Sequence, residues 1–154
     1  MAHPLEPRLA SYIAGKMPQA SAVAVDSLSR ISGGASRETY RFRLTWTEGG
    51  EARERKLILR RDPPTQGKTD RERAVAIDRA TEFRVLQAAH AAGVRSPEPL
   101  FELTAQDALG EAYVMRRIGG IAIARKLLRD APYETARGKI ASQFGEILAR
   151  IHAT

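Results

Sequence analysis

Ser32-Gly33-Gly34-Ala35-Ser36-Arg37-Glu38-Thr39-Tyr40 lies between two strand-like runs, and its reading decides the fold. A glycine pair lets a hairpin loop turn its backbone N–H groups onto an anion, because no Cβ blocks the approach. Gly-Gly is also an ordinary turn, so the weight comes from the order of the downstream segments. These are a strand ending in arginine, a helix with a carboxylate on its apolar face, and a strand running into Gly119-Gly120.

The strands are legible from their periods. Tyr40, Phe42, Leu44 and Trp46 alternate with Arg41, Arg43 and Thr45, which predicts a half-buried strand. Val23 to Ile31 is a mixed run before the loop, Glu48-Gly49-Gly50 is a turn, and Lys56 to Arg61 resumes a strand. Together they predict an antiparallel meander. Upstream, Leu5, Leu9 and Ile13 recur every four residues between Pro4 and Gly15, the pattern of a short amphipathic helix. Asp62-Pro63-Pro64-Thr65-Gln66-Gly67-Lys68 reads as a loop. A helix-forming stretch runs from about Asp70 to Ala92 and closes at Gly93. Leu100–Leu103 and Ala112–Ile118 predict two more strands, joined through Asp107-Ala108-Leu109-Gly110. Finally, Ile140, Phe144, Ile147, Leu148 and Ile151 trace one face of a helix.

Composition narrows the class. The 154 residues are 43% hydrophobic and 28% charged, enough for about one packed domain. No run approaches the roughly 18 apolar residues of a membrane span, so no membrane partner is expected. No basic-then-apolar signal peptide opens the chain. Cysteine is absent, which excludes disulfides and thiolate metal sites and fits a cytoplasmic protein. The net charge is +7. Basic chains often meet phosphate, yet the cations here are spread, and no aromatic residues interleave with them as a stacking platform for nucleic acid. A solvated arginine-rich surface is the plainer reading.

Two side chains stand out. On the strand Lys56–Arg61, Ile58 and Arg60 share a face and Arg61 takes the other. An apolar residue can cover a base, and a cation two positions on can reach phosphate oxygens. Alternatively, Arg60 is a surface strand residue. On the following helix, Val75, Glu82, Leu86 and Ala89 fall in one stripe. A carboxylate there needs a partner, and the planar fork of Arg60 is the candidate. Alternatively, Glu82 sits at the stripe's edge and reaches water. Glu72, nearer the helix start, is a weaker candidate. Ser32 and Ser36 either cap the loop or bind a phosphate, with turn stabilisation the plainer role. The three histidines form no metal pattern and read as structural. Neither G-x-x-x-x-G-K-[ST] nor G-x-S-x-G occurs.

In this order the parts resemble the aminoglycoside-phosphotransferase family, whose fold is similar to that of protein kinases. Leu28 to Tyr40 resembles its first hairpin, Leu57-Ile58-Leu59-Arg60-Arg61 its third strand, and Thr81 to Leu86 the helix that supplies an ion-pair glutamate. Ala112 to Gly120 resembles its last strand and hinge, and Ile147 to His152 the helix before the catalytic loop. The resemblance implies an α+β fold: a protein-kinase-like N-lobe with a five-stranded antiparallel sheet and a packed helix, then the first helices of a truncated helical C-lobe. The implied division is 1–118 for the N-lobe with its N-terminal helix and 119–154 for the hinge exit and the start of the C-lobe.

The same resemblance implies ATP as cofactor, with Gly33, Gly34, Ala35 and Ser36 covering the phosphates. Arg60 takes the place of the family's usual lysine, paired with Glu82. Ile31 and Ile58 roof the adenine, and backbone groups from Arg116 to Ile118 hydrogen-bond its edge. A hydroxylated small molecule is the implied acceptor. H-x-D-x-x-x-x-N does not occur, since the last aspartate is Asp130 and asparagine is absent. No catalytic residue and no magnesium ligand is therefore expected here; Mg ligands are expected in a missing C-lobe, and the chain reads as cut after Thr154. An isolated lobe is expected to be inactive and to self-associate through Phe144, Ile147 and Ile151. The alternative is a non-catalytic basic binding module for nucleic acid or an acidic protein partner.

Overall fold

The computed structural model describes residues 3–31, 38–62, 77–107 and 109–153. Its first helix, α1, spans Leu5–Lys16 with Pro4 at the N-cap, and buries Leu9 and Ile13. Three long strands come next: β1 Ala20–Arg30, β2 Glu38–Glu48 and β3 Glu51–Arg61. Helix α2 is Arg79–Ala91, and the short strands β4 Pro99–Leu103 and β5 Ala112–Arg116 come after it. Helices α3 Ala124–Arg129 and α4 Glu134–His152 complete the order.

The strands form one open five-stranded sheet in the order β1-β2-β3-β5-β4, antiparallel throughout. The predicted alternation in β2 is the pleat itself: Tyr40, Phe42, Leu44 and Trp46 are all buried on one face. Gly49 and Gly50 turn β2 into β3 with φ of +60° and +83°, a region in which a Cβ would be strained. Leu57 and Leu59 of β3, Val114 of β5 and Leu9 and Ile13 of α1 close the same core.

The strand β1 is bulged twice. Its pairing with β2 shifts between Ser21 and Ala24 and between Asp26 and Ser29. Ala22 (φ 51°) and Ser27 (φ 56°) sit in those shifts. At the second bulge the Leu28 N–H donates to Glu6 of α1 at 3.0 Å. The bulge thus anchors α1 on the sheet.

Several boundaries differ from expectation. Strand β3 begins at Glu51 instead of Lys56, because the two-residue turn leaves both strands fully paired from Glu48↔Glu51 onward. Strand β1 begins at Ala20 instead of Val23, and β5 ends at Arg116 instead of Ile118. Of the stretch expected to be helical from about Asp70 to Ala92, the described part forms α2, which starts at Arg79, and residues 70–76 lie outside the described residues. Asp78 is extended (ψ 168°) and its carboxylate accepts from the Thr81 N–H at 2.6 Å, which fixes the N-cap there. The stripe expected on α2 also moves. Arg79 and Phe83 are its buried residues, while Glu82, Leu86 and Ala89 are half-buried. Phe83 packs on Tyr113 of β5 with ring centroids 6.0 Å apart, and this contact sets the helix rotation. Val75 and Glu72 lie outside the described residues, as do Ser32 to Ser36 and the Pro63–Lys68 loop.

Helix α4 has no buried residue among those described. Phe144 (63%), Leu148 (52%) and Ile151 (49%) are exposed along it. Arg150 ties it back to the end of α2, donating to the Gly93 carbonyl at 2.9 Å. No helix is long and apolar enough to cross a membrane among the described residues.

Candidate functional site

Register assigns the two faces of the sheet. Residues directly paired across an antiparallel ladder share a face. Leu57, Leu59 and Arg61 of β3 lie opposite Arg116, Val114 and Ala112, on the core face. Ile58 and Arg60 lie opposite Met115 and Tyr113, on the other face, and across β2 they pair with Arg41 and Thr39. Helix α2 packs over the β4–β5 side of the sheet. Its Phe83 meets Tyr113, a residue of the Arg60 face.

Adjacent arginines therefore meet different partners. Arg61 Nε lies 2.9 Å from Glu38 Oε2, with both side chains largely buried. Arg60 Nη2 lies 3.3 Å from Glu82 Oε1, and these two side chains are about one-third exposed (32% and 28%). The structure thus brings together the strand cation and the helix carboxylate. Because Arg60 keeps solvent access, part of its guanidinium can meet an external anion. A guanidinium remains charged whatever sits beside it.

A third participant was not singled out from the sequence. Arg79, the first residue of α2, is fully buried (0% exposed). Its Nη1 contacts Glu82 Oε2, its Nε lies 3.7 Å from Asp62 Oδ2, and its Nη2 donates to the Ile77 carbonyl at 2.9 Å. Asp62 comes directly after β3, and its N–H donates to the Glu111 carbonyl at 2.9 Å. Arg60, Asp62, Arg79 and Glu82 form one cluster of two cations and two carboxylates at the junction of β3 and α2.

The remaining candidate residues divide. Ile58 is buried (8%) beside Arg60 on that face. Ile31 is 43% exposed, and its N–H donates to the Thr39 carbonyl at 2.8 Å, which extends the β1–β2 pairing by one residue. Gly33, Gly34, Ala35 and Ser36 lie outside the described residues, in the link between β1 and β2. At the expected hinge, the Arg116 N–H donates to the Glu98 carbonyl at 2.8 Å and the Arg117 N–H to the Lys56 carbonyl at 3.0 Å. Those two donors are engaged within the sheet. Ile118 lies beyond the strand and is 61% exposed.

Further along the Arg60 face, other cations are engaged. Arg41 Nε donates to Ser29 Oγ at 2.8 Å. Arg43 Nε donates to both Asp26 oxygens, at 2.9 and 3.1 Å. The Arg43 hydrogen bonds, with a smaller contribution from Ser27, hold the Asp26 carboxyl below its ordinary value. Beside the β5 exit, Arg55, Lys56, Arg116 and Arg117 line a shallow depression with Glu54. No group of three histidine, aspartate or glutamate residues that could hold a metal occurs among the described residues.

An open five-stranded antiparallel sheet, with a helix delivering a carboxylate to a strand arginine, defines a kinase-like amino-terminal lobe. Residues 27–154 match the model of the phosphotransferase enzyme family, and the chain belongs to that family. No curated protein matches the sequence.

Proposed function

We propose that this chain is the ATP-holding part of a phosphotransferase that moves a terminal phosphoryl group to a hydroxyl of a small molecule. The observation that supports the reading most is the partly exposed Arg60–Glu82 pair, on a face whose first two strands are joined through the glycine-rich segment. Ile58 would lie against the base and Arg60 would meet phosphate oxygens. Bound ATP would supply the phosphoryl group. Arg60 neutralises phosphate charge, and Glu82 fixes the direction of its fork. Residues 1–118 are the nucleotide-holding unit in this reading, and 119–154 begin the acceptor side.

Phosphoryl transfer also needs an aspartate to orient the attacking hydroxyl and acidic groups for magnesium. The motif H-x-D-x-x-x-x-N is not in these 154 residues. The chain alone is therefore proposed to bind MgATP and not to turn it over. Calorimetric titration with MgATP tests this. Saturable binding by the wild type, weakened at least about tenfold in Arg60→Ala and in Glu82→Ala, supports the reading. Equal affinity in wild type and Arg60→Ala, or no binding at millimolar nucleotide, overturns it.

A second reading has one observation in its favour. The Arg55, Lys56, Arg116 and Arg117 depression is a local concentration of positive charge. A basic module for nucleic acid or an acidic protein would use it. Binding that falls steeply with salt and survives Arg60→Ala would select that reading.

A further inference from the structure

Arg79 occupies an expensive position. It is the first residue of α2, where the helix dipole disfavours a cation, and none of its surface reaches water. Helix propensity alone does not put a charged arginine there. Among the described residues, two carboxylates from different parts of the chain face it. Asp62 comes directly after β3, two residues after Arg60. Glu82 belongs to α2 itself.

We infer that Arg79 is a positioning residue that clamps the strand carrying Arg60 to the helix carrying Glu82, and so holds the Arg60 fork in its working direction. Glu82 gives one oxygen to each guanidinium: Oε1 faces Arg60 and Oε2 faces Arg79. With Oε2 held by Arg79, Oε1 is aimed at Arg60. Asp62 completes the clamp because it draws Arg79 toward the strand end. Among the described residues the cluster holds two cations and two carboxylates. A phosphate arriving at Arg60 therefore leaves Glu82 still paired with Arg79. Without Arg79, Glu82 Oε2 loses the contact that orients the carboxylate, and Oε1 is no longer aimed at Arg60.

The test begins without nucleotide. The side-chain Nε–H resonance of Arg60, assigned by its disappearance in Arg60→Lys, is followed by 15N NMR in the wild type, Arg79→Ala, Arg79→Lys and Asp62→Asn. The resonance is expected to move toward that of a solvated guanidinium in Arg79→Ala, and part of the way in the other two. Lysine keeps the charge but cannot span both carboxylates. A merely structural Arg79 would lower the melting temperature and leave the Arg60 resonance in place; that result in any folded variant overturns the inference. Should Arg79→Ala not fold, Arg79→Lys and Asp62→Asn decide the question in the same way.

The second readout rests on the proposed function. MgATP affinity is expected to fall about tenfold in Arg79→Lys, and much less when the same change is made in Glu82→Gln, because the clamp acts through that carboxylate. Additive losses overturn the inference. A moved resonance in a protein that binds no MgATP leaves the clamp standing and removes the nucleotide reading.

Discussion

The two faces of the sheet use arginine differently. On the core face, Arg61 is buried at 8% and meets Glu38 beneath the edge of an apolar layer. On the other face, Arg60 keeps about one-third of its side chain in water and shares Glu82 with a second arginine. The two residues are neighbours in sequence, and only the pleat separates them. A cation that is enclosed with a close anion is committed to the fold. One that is partly exposed and whose anion has another partner is available to a ligand. The difference lies in burial and in how the anion is shared, not in residue type.

Breaking the core face carries the largest expected effect. Leu59 is fully buried between α1 and the strands. Leu59→Ala is expected to cost about 4 kcal/mol of unfolding free energy, read by urea denaturation. A loss under about 1 kcal/mol would mean that the α1-covered layer is not the stability core.

Arg61→Ala comes next. It leaves a largely buried Glu38 with Arg30, at 3.7 Å, in place of the close cation it has lost. The expected loss is about 3 kcal/mol, and on the proposed function the MgATP affinity of the folded fraction stays unchanged. Arg60→Ala should do the reverse. Its pair is partly exposed and Arg79 still neutralises Glu82, so stability should stay within about 1 kcal/mol of the wild type, while nucleotide affinity falls. If Arg60→Ala destabilises as much as Arg61→Ala, the division of labour between the faces is wrong.

What was legible in the sequence is what local geometry fixes. The alternation from Tyr40 to Trp46 is the pleat, and the Gly49-Gly50 pair supplies the two positive φ angles of a tight turn. The opposite faces of Arg60 and Arg61 come from the same alternation. Pairing Arg60 with Glu82 needed only a strand face and a helix stripe. The role of Arg79 was not legible, because it meets Asp62, which lies far upstream in the chain just after β3. On the helix pattern alone, Arg79 is one more charge beside the capping Asp78. That cap was itself a missed signal: an aspartate whose third neighbour offers its N–H marks a helix start. The bulges at Ala22 and Ser27 carry no glycine to announce them. The second presents the Leu28 N–H that donates to Glu6 of α1.

The smallest expected effect sharpens the comparison at the other end of the cluster. Asp78 and Arg79 are consecutive, yet Asp78 is exposed and its main partner is the Thr81 amide. That backbone hydrogen bond, then the Thr81 side chain, holds the Asp78 carboxyl below its ordinary 3.8. A carboxylate whose folded value is lowered stabilises the fold above its unfolded value and loses that contribution as pH falls through the folded value. An asparagine at this position would still cap the helix but would not titrate. Asp78→Asn should therefore melt slightly below the wild type at pH 6, and the gap should close as pH falls below about 3.8. Thermal melts of both proteins from about pH 6 to about pH 2.5 check this. A gap that persists at the acid end would mean that shape, not charge, distinguishes the two caps. The Arg60 resonance should be the same in both proteins, because Asp78 serves the helix end while Arg79 serves the site.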